Sequence, residues 1–515
     1  RRRSSKPSRF RSRSIRCESG SAHISTSRPC GSRAMSTADP IHRVTVEPVA
    51  DGPASASEGK ASIRGRNGDR PFVVIDGFNL SLEKGTGVAT YARNLSYCLR
   101  DMGCEVGVLY GGAFSAKHPP LLQEVSFFDP PPQRVGRARK ALRVSRAFLA
   151  SNRNDAFQVP ITGAVISETF RSRLPYYDSI WNATRLYEKA SHQFHALGII
   201  NRVRMPRKPD LVHWTYPLPV RVPGVPNIYT LHDLVPLRLP YTTLDRKDRY
   251  LRLMTWICRN ADHIVTVSEN SKRDIVELLG VSPEKVTNTY QAVSIPEDLR
   301  TRSDELVRDE IANIFGLIHK EYFLFFGSIE PKKNIGRLIE GYLGAGVDIP
   351  LVIIGAQAWK SEDELRMLRM GEGRAGNRAA QWDGPGSKIV WLEYVPFQML
   401  VNLIRGARAV LFPSLYEGFG LPVLESMLLG TPVLTSSTSS VPEIAGDAAL
   451  LVDPYDTRAI AEGVRALAEQ DDLCAELSAR GRRQAALFGE AAYRKRLQAV
   501  YAQVLDRAVE RERAR

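Results

Sequence analysis

The sequence predicts an α/β protein made of two doubly wound parallel sheets facing each other across a cleft. Three observations predict it. Short apolar runs rich in β-branched residues alternate with segments of helical spacing. The alternation occurs twice, once from Pro71 and again from about residue 320. A polar linker over residues 294–309 separates the two series.

The first series opens on Pro71-Phe72-Val73-Val74-Ile75-Asp76, the pattern of a strand buried on both faces. A polar, Gly-containing loop over 77–87 precedes helical spacing over 88–99 and a strand over 105–110. Residues 210–214, 227–231 and 263–267 read as further strands, each ending near a polar group. The region 112–205 is harder to parse. Within it, residues 134–153 read as a basic amphipathic helix, with Ala141, Leu142, Phe148 and Leu149 among seven Lys/Arg. The second series has strands at 322–326, 350–354, 389–392, 409–412, 432–435 and 449–452. A long helix, basic at its end, closes the chain over 490–515. The predicted units are 71–300 and 310–489, with the last helix packing back on the first. Open α/β sheets bind ligands beyond their strand C-termini, so facing halves place a ligand between them.

Residues 1–70 are rich in Arg, Ser, Gly and Pro and are predicted to be disordered. Residues 1–34 hold ten Lys/Arg and one acid, so most of the net charge of +15 sits there and the remainder carries +6. Nucleic-acid binding does not follow from so mild an excess. The leader reads either as sequence upstream of a start at Met35 or as a transit peptide. The six cysteines form no C-x-x-C pair, which points to a reducing, cytoplasmic compartment. No apolar run approaches the ~20 residues that span a bilayer. Peripheral contact through the basic segment 134–153 stays open beside the plainer reading of a solvated helix face.

The segment with the most chemistry is Phe412-Pro413-Ser414-Leu415-Tyr416-Glu417-Gly418-Phe419-Gly420-Leu421-Pro422. A strand ends, a Gly-broken loop follows, and a helix opens with Pro422 near its first position. The N–H groups of Gly420, Leu421 and Val423 at that start would seat a diphosphate. Glu425, in the first turn, suits the two hydroxyls of a ribose. Glu417, before the turn, reaches sugar hydroxyls on the other side. Alone, an E-x7-E spacing reads as a capped helix carrying surface acids. Inside this Pro/Gly frame it reads as a donor seat.

A second turn, Phe326-Gly327-Ser328-Ile329-Glu330-Pro331-Lys332-Lys333-Asn334, carries two lysines, suitable point charges for a diphosphate leaving group. His232 ends a strand in Thr230-Leu231-His232-Asp233, and Ser268 is placed to cap a helix starting near Asn270. The loop Gly85-Thr86-Gly87 lacks the third Gly of a dinucleotide fingerprint and lies too far past its strand, which argues against a dehydrogenase. No D-x-D and no His/Cys cluster with metal spacing occurs, so neither a metal nor another cofactor is expected.

These motifs, with Gly430-Thr431-Pro432-Val433, Ser439-Ser440-Val441-Pro442-Glu443 and the run from Gly446 to Pro454, resemble glycosyltransferase family 4. These are retaining enzymes with the two-domain GT-B fold. The resemblance covers roughly 71–500, strongest after residue 320. It implies an acceptor-binding N-terminal half and a nucleotide-sugar donor-binding C-terminal half. It implies that Glu425 holds the ribose and Glu417 the transferred sugar. It further implies that the backbone of Phe419, Gly420 and Leu421 binds phosphate, with Lys333 as its cation. His232 would orient the sugar, and the loop Gly85, Thr86, Gly87 would touch donor or acceptor. Many members carry Arg directly after the first Gly of the lysine turn. Here it is Ser328, and Lys332 is not an obvious replacement. The Gly-Ser-Ile-Glu-Pro-Lys-Lys-Asn form resembles the mannosyltransferase-like branch. The implied activity is transfer of a hexose, best matched by mannose from GDP-mannose, to a glycan or lipid-linked acceptor. A nucleotide-sugar epimerase of the same fold and a non-catalytic sugar-nucleotide-binding protein are the alternatives.

Overall fold

The computed structural model describes residues 65, 69–81, 87–129, 151–166, 174–362, 364 and 388–514. Eleven strands form the first half: β1 (Phe72–Asp76), β2 (Glu105–Tyr110), β3 (Arg153–Asp155), β4 (Phe157–Val159), β5 (Ser179–Asn182), β6 (Asn201–Arg204), β7 (Leu211–Trp214), β8 (Val220–Arg221), β9 (Asn227–Thr230), β10 (His263–Thr266) and β11 (Val286–Asn288). Six form the second: β12 (Phe323–Phe326), β13 (Leu351–Ile354), β14 (Ile389–Leu392), β15 (Ala409–Phe412), β16 (Val433–Ser436) and β17 (Leu450–Val452).

The first sheet runs β11-β10-β9-β7-β1-β2-β5-β4, parallel except where β4 pairs antiparallel with β5. The second runs β14-β13-β12-β15-β16-β17 and is parallel throughout. Each sheet starts at a central strand, winds one way, then reverses. The reversal leaves a crevice between β1 and β7 in one sheet and between β12 and β15 in the other. Ligands of such sheets sit at that switch point, outside the strand C-termini. A small parallel sheet, β3-β6-β8, draws β3 and β6 from the segment that resisted sequence parsing.

Burial follows from the strand pattern. Val73 and Ile75 of β1 enter one apolar layer, and Phe72 and Val74 the opposite one. This two-sided burial is why the strand reads as a continuous apolar run. The last helix, Glu490–Arg513, lies on the first half. Its Tyr501 hydroxyl is 2.6 Å from His213 Nδ1, and Arg511 pairs with Asp262 at 2.8 Å.

Several expectations change at the edges. The linker over 294–309 is shorter than predicted, because a helix capped by Ser303 begins at Asp304. The C-terminal helix ends at Arg513. Residues 1–64 lie outside the described set. Of the expected disordered extension, Gly65, Asp69 and Arg70 are instead tied down: Gly65 N–H donates to Asp69 O, and Arg70 to the carbonyls of Gly103 and Cys104. Residues 134–150 of the predicted basic helix also lie outside it, and Arg153 belongs to strand β3. No helix among the described residues is long and apolar enough to cross a membrane.

Candidate active site

The loop from β15 to the helix Leu421–Leu428 is built by its side chains rather than by regular structure. Phe419 is buried against Tyr290 and Phe488, with ring centroids 6.4 and 5.8 Å away, so the aromatic side chain pins the turn. Ser440 Oγ bonds the carbonyls of Glu417 and Phe419 at 2.9 and 3.0 Å. Glu417 N–H donates to Ser439 Oγ. Gly420, at φ +109°, then turns the chain into the helix in a conformation other residues rarely adopt. The N–H groups of Gly420 and Leu421 meet no acceptor among the described residues. Val423 N–H, expected to be free, instead donates to Gly420 O at 3.1 Å, because the first helical turn tightens on the glycine.

The lysine turn is fastened to the same loop. Asn334 adopts φ +61° and donates to the carbonyls of Pro413 and Pro454, and Leu415 N–H donates to Lys332 O. This brings Lys333 Nζ to 2.6 Å from Glu417 Oε1, with both side chains nearly buried, and 4.8 Å over the Phe412 ring. Burial alone would raise the Glu417 carboxyl, but Lys333 and Lys332 outweigh it and hold the group below its ordinary value. Lys332 proves to be part of the site. Burial would lower its ammonium, yet Glu417, Asp233 and Glu330 outweigh that and hold it well above the usual range. Two cations thus meet three carboxylates, one of which, Asp233, comes from the opposite half. Ser328 is exposed, and its hydroxyl donates to Glu330.

Glu425 lies just past the first helical turn, half-buried, with no hydrogen-bond or ion-pair partner among the described residues. Burial pushes its carboxyl up to about 7. An acid left alone in this way has its acceptor capacity available for ligand hydroxyls.

Across the cleft, His232 follows β9. Its Nε2–H donates to Thr215 O at 2.9 Å, and its ring stands edge-on to Tyr91 at 4.8 Å. With Nε2 as donor, the neutral ring leaves Nδ1 as an acceptor that meets no partner among the described residues. Burial lowers the imidazole, partly offset by the Thr215 bond and by Asp233. Thr215 is in turn held by Asp76, which is fully buried and accepts both the N–H and the hydroxyl of Thr215. Burial pushes Asp76 up to about 6, against the pull of those hydrogen bonds.

The halves touch at these residues. A Cβ built on Gly418 would lie 2.7 Å from His232 O, so only glycine allows the approach. Ser268, which caps the helix Glu269–Leu279 as predicted, donates its hydroxyl to Gly418 O at 2.7 Å. Glu443 crosses to the same helix start and accepts from the N–H groups of Glu269 and Asn270. Tyr416 donates to Asp274. On the far side, Trp359 Nε1–H donates to Thr242 O at 2.8 Å. Gly87, Leu421, His232, Lys333 and Glu417 therefore converge, with a Cβ on Gly87 only 3.8 Å from Leu421. Gly85 and Thr86 lie outside the described residues. Asp76, Thr215, Lys332, Asp233 and Tyr416 are additions that sequence spacing did not supply. An acid closing a buried strand, as in Phe-Val-Val-Ile-Asp, was the one available signal. Among the described residues no group of three or more His, Cys, Asp or Glu side chains is placed to hold a metal ion.

Comparison with known proteins agrees with the two-domain fold. The family described as "Glycosyl transferases group 1" matches residues 307–484, and "Glycosyltransferase Family 4" matches residues 165–295. O-antigen chain mannosyltransferase B of Escherichia coli is 31% identical over 266 residues, 51% of this chain and 66% of that protein. The serotype-specific mannosyltransferase WbdA of the same organism is 27% identical over 281 residues, 53% of this chain but 33% of its own length. The chain thus spans just under two thirds of one relative and a third of the other. Anabaena HepE in complex with UDP and glucose superposes with a TM-score of 0.56 at 14% identity, covering 84% of this chain and 99% of that one, a likeness of fold. With two Rossmann-like sheets meeting over these motifs, the chain belongs to the family 4 glycosyltransferases and has their GT-B fold.

Proposed function

We propose that this chain is a retaining hexosyltransferase that moves mannose from GDP-mannose to a glycan or lipid-linked saccharide, in polysaccharide or lipopolysaccharide synthesis. The observation that carries it is the buried Lys333–Glu417 pair beside the unbonded amides of Gly420 and Leu421. The names of the Escherichia coli relatives favour mannose. The bound UDP and glucose of HepE favour a nucleotide-sugar donor.

The chemistry follows from charge. The donor diphosphate takes the amides of Phe419, Gly420 and Leu421 as its seat, and Glu425 accepts from the ribose hydroxyls. An arriving phosphate competes for Lys333. Once Lys333 turns to it, Glu417 is released to accept from hydroxyls of the transferred sugar. Lys332 is the second cation that Ser328 does not supply. Together the lysines and amides stabilise the diphosphate as it departs, with no metal ion required. His232, its Nε2–H fixed on Thr215 O, turns Nδ1 toward the sugar. The acceptor hydroxyl attacks the face that the leaving group vacates and its proton passes to the departing diphosphate oxygen, giving retention. The acceptor enters from the N-terminal half, at the cytoplasmic face of a membrane if it is lipid-linked.

A thermal-shift screen over nucleotide sugars tests the donor reading. GDP-mannose is expected to stabilise the protein, and Glu425→Ala to abolish most of that gain. Undiminished stabilisation of the variant would count against the ribose role. Turnover of donor to an isomeric nucleotide sugar without any acceptor would instead identify an epimerase.

A further inference from the structure

The N-terminal half holds a chain of buried polar side chains that the donor chemistry does not use. It begins on the last helix, Glu490–Arg513, where the Tyr501 hydroxyl lies 2.6 Å from His213 Nδ1. His213 Nε2 lies 2.7 Å from Thr230 Oγ1, which lies 3.0 Å from the Tyr91 hydroxyl. Register puts His213 of β7 opposite Ile228 of β9, so Thr230 is its diagonal neighbour on the same sheet face. Tyr91, on the helix Gly87–Asp101, then sets its ring 4.8 Å from the His232 ring, with planes at 88°. Tyr501, His213 and Thr230 are fully buried, and Tyr91 is 1% exposed.

Such a chain does little for stability, because apolar side chains of the same shape fill a core layer about as well. What it supplies is a single geometry. Burial first, then His232 and His263, push the His213 imidazole down to about 3, so the ring stays neutral. A neutral ring has one N–H and one lone pair. It bonds Tyr501 and Thr230 in complementary ways and cannot turn without losing both. Thr230 ends β9, two residues before His232. The His232 ring has one hydrogen bond among the described residues, from Nε2–H to Thr215 O. One bond fixes a point and leaves the ring free to swing about it. The perpendicular Tyr91 ring removes that freedom, and Tyr91 is held in turn by its hydroxyl.

We propose that Tyr91 is a positioning residue for His232, and that Tyr501, acting through His213 and Thr230, makes the last helix part of the same device. This rests on the glycosyltransferase reading for what His232 does, and on the buried chain for how His232 is held.

NMR of the full chain carrying nitrogen-15 histidine tests it, with His232→Gln identifying the His232 signals. Tyr501→Phe removes one oxygen at the far end of the chain, and Tyr91→Leu removes the ring itself. Both should speed solvent exchange of the His232 Nε2–H at least about tenfold. With GDP-mannose and methyl α-mannoside, both should lower kcat at least about tenfold and leave the donor KM unchanged. Tyr91→Phe, which keeps the ring, should fall between wild type and Tyr91→Leu in both readouts. A network that served the fold alone would lower the melting temperature and leave the His232 exchange rate where it is, and that result overturns the proposal. If Tyr91→Leu fails to fold, Tyr501→Phe decides. The exchange rate needs no substrate, so it stands apart from the donor reading. Faster exchange with unchanged kcat would support the positioning and count against His232 as the group that orients the sugar.

Discussion

At the scale of single residues, the site stores acids that are not yet used. Glu425 sits near pH 7 because burial raises it to about 7 and nothing nearby offsets the cost. On the proposed reading its ionised form accepts from ribose hydroxyls, which would link donor binding to proton loss. The sign is fixed: affinity holds above pH 7 and falls below it, by up to about tenfold for each pH unit. Isothermal titration with GDP-mannose at pH 6 and pH 8 checks this. The ratio of wild type to Glu425→Gln should change about tenfold between them, whereas a constant ratio would remove Glu425 from the ribose. Asp76 carries a different prediction. Its folded value, about 6, is above the ordinary one, so the stability it contributes is full below pH ~4 and lost as pH rises through 6. Urea unfolding of wild type against Asp76→Asn should show the wild type losing up to about 3 kcal/mol relative to the variant across that window. The same variant loosens Thr215, and with it His232. Turnover should drop at least about tenfold while donor affinity is unchanged. A variant with unchanged turnover would make Asp76 a fold residue only.

At the scale of elements, the close approach of the two halves depends on Gly418. A methyl group there meets His232 O at 2.7 Å, and both partners are backbone-bound. Gly418→Ala should therefore push the donor loop from the helix Glu269–Leu279 and break the Ser268 and Glu443 bonds across the cleft. A fall in kcat/KM of at least about tenfold is expected with little loss of melting temperature, since both cores are untouched. An unchanged rate would show that this contact is not needed. These elements also mark how far the sequence was legible. Glu417, Lys333, Gly420 and His232 could be picked out through the resemblance of their turns to the family, since spacing alone left the acids, the lysine turn and the histidine with a structural reading. Lys332 was legible only as a second lysine of its turn, since its neighbours Asp233 and Glu417 are brought to it by the other half and by a distant loop. Thr215 was hidden for the same reason: a switch point is a property of strand order, and strand order is not local. Val423 was misjudged because the tightening of a helix start on a glycine is set by φ at Gly420.

At the scale of the whole molecule, every strand of the second sheet was legible, and in the first half β1, β2, β7, β9 and β10. Two-sided burial makes β12 and β15 unbroken apolar runs and β1 one that ends on Asp76. The region 112–205 was not legible, because β3, β4 and β6 are short and partly exposed and the buried β5 carries Ser179 and Asn182 in place of an apolar run. The two halves meet at Gly418, His232 and Ser268, with the Lys333–Glu417 pair on one side and His232 on the other. The central claim is that the two act together in a retaining transfer. Its most direct test is to incubate the full chain with GDP-mannose and methyl α-mannoside in EDTA and to follow the new anomeric proton by NMR. The account predicts an α-linked product, released together with GDP. A β-linked product, or no transfer from any nucleotide sugar under these conditions, would contradict it.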